Sequence, residues 1–172
     1  SSIPRVHRAR PKALRSPATL IAAAKSGDLA TVKAQVANGT DVNATTGELD
    51  SQSALGWAAY RGHRDVVELL LEQGARIDAQ NRRGYSPLMA AAQGGHTELV
   101  RSLLERGANP NLATRNGDTA LAYAAMFGDA EMTRALLHEG AARSVENALG
   151  DTAESLATAL GRPEIVAVLA RH

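Results

Sequence analysis

Apolar residues recur along this chain in two alternating styles. One style is paired and bulky: Val66-Val67 with Leu70-Leu71, Leu99-Val100 with Leu103-Leu104, and Met132 with Leu136-Leu137. Steps of three and four between the pairs line one face of a helix and leave charged residues on the other. The other style is small and nearly continuous: SALGWAA from Ser53, SPLMAAA from Ser86, TALAYAA from Thr119 and TAESLAT from Thr152. Each of these stretches opens on a hydroxyl residue that can accept a backbone N–H, and Pro87 follows Ser86 where a missing N–H is harmless. The alternation therefore predicts pairs of short helices, an alanine-rich one followed by a leucine- and valine-rich one.

Glycines punctuate the pairs at a fixed interval. Gly62, Gly95, Gly128 and Gly161 stand 33 residues apart, as do Gly74, Gly107 and Gly140. The first set follows the alanine-rich stretches, where a left-handed glycine can end a helix at little steric cost. The clearest copy of the block is NRRGYSPLMAAAQGGHTELVRSLLERGANPNLA, from Asn81 to Ala113. An earlier half-match, LIAAAKSGDLATVKAQVANGTDVNA, is offset by 35 because Gly27 and Gly39 sit two residues early. The two extra residues fall in TTGELDSQ, which reads as an enlarged turn.

A period of this length marks a repeat array. The block resembles the ankyrin repeat: a tight turn, a TPLH-like helix start, two antiparallel helices and a Gly-Ala pair before the next turn. The resemblance covers residues 18–172 and implies an all-α solenoid of antiparallel helix pairs joined by β-hairpin-like turns. Its repeats would run over 18–46, 47–80, 81–113, 114–146 and 147–172. Glu154 in place of the usual leucine, and Lys25, Lys33 and Gln35 in the first pair, read as terminal softening, so the array reads as complete at five repeats. His63 and His96 follow helix-ending glycines, where the ankyrin pattern usually has histidine with its ring against loop backbone.

Charge divides the chain unevenly. Residues 1–17 carry Arg5, Arg8, Arg10, Lys12 and Arg15 with no acid, while the remainder has 14 basic residues against 18 acidic, a net of −4. Pro4, Pro11 and Pro17 argue against a continuous helix there, so residues 1–17 read as a separate basic tail. A solvated lead-in, a strap for an acidic surface and a trimmed targeting remnant all fit it.

Catalytic chemistry finds little support. There is no cysteine, hence no disulfide, thiolate nucleophile or cysteine zinc site. The sequence contains no phosphate-binding GxxxxGK loop, G-x-S-x-G elbow, H-E-x-x-H helix or calcium-binding loop. His7, His63, His96, His138 and His172 are not paired at metal-ligand spacing, and the acids of the second helices (Asp65, Glu68, Glu72, Glu98, Glu105) read as a solvated face. No catalytic, cofactor-binding or metal-binding residue is expected, and the chain is not expected to be an enzyme. No apolar run approaches a membrane-spanning length.

What remains is surface. All the aromatics, Trp57, Tyr60, Tyr85, Tyr123 and Phe127, fall in the turn and first helix of a repeat and none in the second helix. The resemblance implies that this half is the concave, partner-binding side. Carried over by phase, the exposed turn positions are Leu49, Asp50 and Gln52, then Arg82, Arg83 and Tyr85, then Arg115, Asn116 and Asp118, then Ala148, Leu149 and Asp151. The candidate partner-binding strip is Tyr60, Arg61, Arg82, Arg83, Tyr85, Arg115, Met126 and Phe127. Trp57 and Tyr123 sit at a position such repeats often use for packing between neighbours.

The expected function is a non-enzymatic protein–protein interaction module, an adaptor, accessory subunit or inhibitor, monomeric when free and with one or more protein partners. The alternatives are attachment of the basic tail to an anionic surface or nucleic acid, and an enzyme built on a repeat scaffold. Acidic repeats disfavour nucleic acid, whose phosphates attract proteins through clustered cations. The compartment stays open: cytoplasmic by default, with an exported, bacterial periplasmic protein as the alternative.

Overall fold

Five helix pairs stacked side by side make up the computed structural model, which describes residues 15–47 and 52–171. Most of the basic tail, the middle of the enlarged turn with Leu49 and Asp50, and His172 lie outside the described residues. The first helices of the pairs are α1 (Pro17–Ser26), α3 (Ala54–Arg61), α5 (Pro87–Gln93), α7 (Ala120–Phe127) and α9 (Ala153–Ala159). The second helices are α2 (Leu29–Ala37), α4 (Arg64–Glu72), α6 (Thr97–Glu105), α8 (Ala130–His138) and α10 (Pro163–Ala170). Helices this short are marginal in isolation and persist because each packs against its neighbours.

Hydroxyl caps start the first helices as the sequence predicts. The side-chain oxygens of Ser53, Ser86, Thr119 and Thr152 accept the backbone N–H of Gly56, Met89, Ala122 and Ser155. Ser16 does the same for α1, so the first helix begins at Pro17. Three of the four glycines spaced by 33 residues adopt the left-handed conformation, Gly62, Gly95 and Gly161, but Gly128 does not. Its φ is −88° with extended ψ. Asp129 replaces the histidine that follows in the two preceding repeats, and its carboxylate caps α8 by accepting the Met132 N–H at 2.7 Å. The chain reaches that cap through an extended glycine, not a left-handed one.

The core is a set of columns running through the stack. Leu20, Leu55, Leu88 and Leu121 occupy equivalent places in successive first helices, all fully buried, and alanines fill the spaces between. Leu70, Leu103 and Leu136 form a parallel column in the second helices. In α2 the equivalent place is Gln35, whose side-chain oxygen accepts the Ser16 N–H at 3.0 Å and the Thr40 hydroxyl at 2.8 Å. A core position thus becomes an anchor for the chain entering the stack, and Arg15 adds a bond from Nε to the Asn38 carbonyl at 2.8 Å.

Polar side chains stitch neighbouring repeats together. Asn43, Asp78 and Asn111 accept the backbone N–H of Arg76, Asn109 and Ala142 in the next repeat at 2.8–2.9 Å. His63 and His96 bring Nε2 to the carbonyls of Lys25 and Tyr60 at 3.2 and 2.9 Å, which is the backbone contact expected of them. Arg162 occupies the same place in the last pair and donates to the Gly128 carbonyl at 2.6 Å.

Candidate functional site

The turns build one wall of a groove. Asn81 folds its turn by accepting the N–H groups of Arg83 and Tyr85 on its side-chain oxygen, both at 3.0 Å. Asn147 repeats the device with Leu149 and Asp151, while Thr114 uses its hydroxyl to accept the Asp118 N–H. Gly84 and Gly117 take the left-handed conformation in these turns. A Cβ on Gly84 would stand 3.0 Å from the Ala113 carbonyl oxygen, and one on Gly117 would stand 3.0 Å from the Asn147 Cα. Glycine here serves both the turn and the close stacking of one turn on the next. The stacked turns join directly: the Arg115 N–H donates to the Arg83 carbonyl at 2.9 Å and the Ala148 N–H to the Asn116 carbonyl at 2.7 Å. Strand pairing among the described residues is confined to a single antiparallel bridge, Ala113 with Thr119.

The first helices supply the floor. Between them and the turns lies a cavity of about 590 Å³ whose aromatic lining is Trp57, Tyr60, Tyr85 and Tyr123. Tyr85 and Tyr123 meet edge to face with centroids 5.3 Å apart, and Tyr123 stacks on Phe127 at 6.5 Å. Trp57 and Tyr60 form a second edge-to-face pair at 6.1 Å. Such pairs stabilise ring positions beyond simple burial. The Tyr85 hydroxyl donates to the Gln93 side-chain oxygen. Burial pushes the Tyr85 phenol well above its usual range, with Tyr123 and Tyr60 adding to it, and burial followed by the Asp118 charge raises Tyr123. Both hydroxyls therefore stay neutral.

Charge enters from the turn side. Arg83 and Arg115 line the groove, with Asn81, Thr114 and Asn116 beside them. Lys25 sits at the far end with Nζ 4.2 Å from the centre of the Trp57 ring, a cation–π contact.

Four members of the sequence-derived strip, Tyr60, Arg83, Tyr85 and Arg115, meet in this groove. The other four flank it: Arg61 lies over the Tyr60 ring, Arg82 is exposed at its turn, Met126 is half-buried, and Phe127 extends the tyrosine row outward. Trp57 and Tyr123 combine packing with a face on the groove, so the packing position also supplies groove surface. Gln52, read as an exposed turn residue, is buried instead. Its side chain lies over Gly56, where a Cβ would come within 2.4 Å of it, filling the space that Met89 occupies one repeat later.

The opposite side of the stack differs in kind. Arg101 pairs with Glu98 and with Glu131 of the next repeat, and Arg64 pairs with Glu68. Among the described residues no group of three His, Asp or Glu side chains is placed to hold a metal ion, and no helix is long and apolar enough to cross a membrane.

A family model described as ankyrin repeats, three copies, matches residues 20–114 and again 107–172. The chain is similar to the Ankyrin repeat and KH domain-containing protein mask of Drosophila melanogaster, 38% identical over 69 residues, which are 40% of this chain and 2% of that protein. It is similar to Serine/threonine-protein kinase 12 of Arabidopsis thaliana, 38% identical over 68 residues, 40% of this chain and 14% of the kinase. A shorter stretch of 39 residues, 23% of the chain, is 54% identical to 2% of Cortactin-binding protein 2 of Rattus norvegicus. In each case the match spans a small part of the relative's own length.

Proposed function

The chain belongs to the ankyrin-repeat family, and from that premise we propose that it is a non-enzymatic adaptor, accessory subunit or inhibitor that docks a protein partner in the groove between its turns and first helices. A protein–protein interaction module is the general role that such a stack supports. The observation that carries the finer reading is the distribution of aromatic rings. Four of them line a single groove beside two arginines, while the second-helix side carries none. Large aromatics and arginine are the side chains that dominate binding energy at protein interfaces. A groove of this volume is also within the range that accommodates a ligand group.

The test is quantitative enrichment of bound proteins from native cell extract. Wild type is compared with the Arg83→Glu/Arg115→Glu variant and with Arg101→Glu on the second-helix side, with circular dichroism confirming unchanged folding. The reading expects a partner lost with the groove variant and retained with Arg101→Glu. Equal recovery of every bound protein by all three forms sinks it.

A further inference from the structure

The groove's donors and rings together select a backbone conformation in the partner. We propose that the groove takes a proline-rich, uncharged segment of a partner protein in the left-handed polyproline helix. The segment lies along the stack, with prolines on the aromatic rings and carbonyls toward the groove's hydrogen-bond donors. This rests on the reading of the groove given above.

The donors come from the aromatic floor. Among the described residues, the indole N–H of Trp57 and the hydroxyl of Tyr123 have no hydrogen-bond partner, and both residues line the groove. The Tyr85 hydroxyl donates to the Gln93 side-chain oxygen, which leaves the amide N–H groups of Gln93 as donors. Burial, followed by the Asp118 charge, raises the Tyr123 phenol, so its hydroxyl keeps the proton it donates. A polyproline helix is the complementary ligand: it has no internal hydrogen bonds, so its carbonyls need donors, and its prolines bring no N–H of their own. Net charge does not select the ligand, because Arg83 and Arg115 line the groove while the Asp118 carboxylate acts on Tyr123, so both signs reach it.

The rings are held in place and spaced by the repeats. The Lys25 ammonium and the edge-to-face contact with Tyr60 fix Trp57, and Tyr85 meets Tyr123 in the same way, so the ring surface is set before a ligand arrives. Trp57 and Tyr123 hold equivalent positions two repeats apart, with Ala90 at the position between them. The helices α3, α5 and α7 that carry these positions pack in succession. Packed helices lie about 8–10 Å apart, which separates the two ring positions by about 16–20 Å. A polyproline helix advances about 3.1 Å per residue and returns the same face every three residues, so six residues cover about 19 Å and bring one face to both rings. An extended strand returns the same face about every 6.6 Å and falls out of step with the repeats. Proline-rich segments dock in aromatic-lined grooves with little ordering cost, because their conformation is already set in the free chain.

Titration of the full chain with an acetylated, amidated peptide of ten L-prolines tests the inference. The signal is the fluorescence of Trp57, the chain's single tryptophan and part of the groove wall. Two peptides of equal length are compared with it: ten D-prolines, which form the mirror-image helix, and alternating glycine and serine, which form a flexible coil. The expected result is a saturable change with L-proline and affinities at least about tenfold weaker for both other peptides. The Tyr123→Phe/Gln93→Leu variant removes two donors and keeps side-chain bulk, and circular dichroism checks that its helix content is native. It is expected to bind L-proline about tenfold or more weakly, as the loss of two neutral hydrogen bonds implies. No saturable change, or equal affinity for the two hands, overturns the polyproline segment, and the groove itself is then judged by the extract experiment. L-Proline binding that the double variant leaves intact places the segment outside the groove and overturns the proposal as well.

Discussion

The two halves of each repeat solve the same packing problem with opposite materials. The first helices bury runs of alanine, Ala90 to Ala92 and Ala124-Ala125, so that neighbours approach closely and rings are displaced to the groove side. The second helices bury leucine, valine and methionine on one face and pair charges across the other, as Arg101 does with Glu131. One half has no spare volume and carries the proposed binding chemistry. The other holds much of the core's bulk and presents a solvated face. Core bulk and the proposed recognition surface thus lie on different sides of the stack, and the groove draws on the second, third and fourth repeats.

Three substitutions would break or sharpen that contrast. Leu103→Ala removes a fully buried side chain from the α6 column and is expected to cost about 2–5 kcal/mol in urea unfolding. A loss below about 1 kcal/mol would mean the second helices are not the bulk of the core. Ala91→Leu tests the other half, because it adds volume where α5 is fully buried; overpacking there should cost about 1–3 kcal/mol. If it is neutral or stabilising, the first helices are not closely packed. The smallest effect belongs to the outer charges: Arg101→Ala should change stability by no more than about 1 kcal/mol, since exposed ion pairs contribute little. A larger loss would show that the Arg101–Glu131 contact between repeats bears on the stack.

Much of this architecture was legible because the period ties each residue to its counterparts. Ser86 and Thr119 could be read as caps, and Leu70, Leu103 and Leu136 as one core column, from spacing and chemistry alone. Gly128 was misread as left-handed because the glycine interval was clear, but the interval does not fix the backbone angles: Gly27, followed by the capping Asp28, is left-handed, whereas Gly128, followed by the capping Asp129, is extended. Gln52 was misread as exposed because its burial depends on the missing side chain of Gly56, a contact between two positions that periodicity treats separately. The groove was legible in part. Phase brought Tyr60, Tyr85, Arg83 and Arg115 to one side, but phase alone does not reveal that Trp57 and Tyr123 have rings large enough to pack and still reach the cavity.

The bond from the Arg115 amide to the Arg83 carbonyl has a metric consequence. It sets the two turn backbones on adjacent graduations of a ruler, with Ala148 bonded to Asn116 as the next interval. On the proposed reading, what the groove measures along a partner is a count of such intervals. Duplicating one 33-residue block would lengthen the scale by a single graduation without changing its pitch.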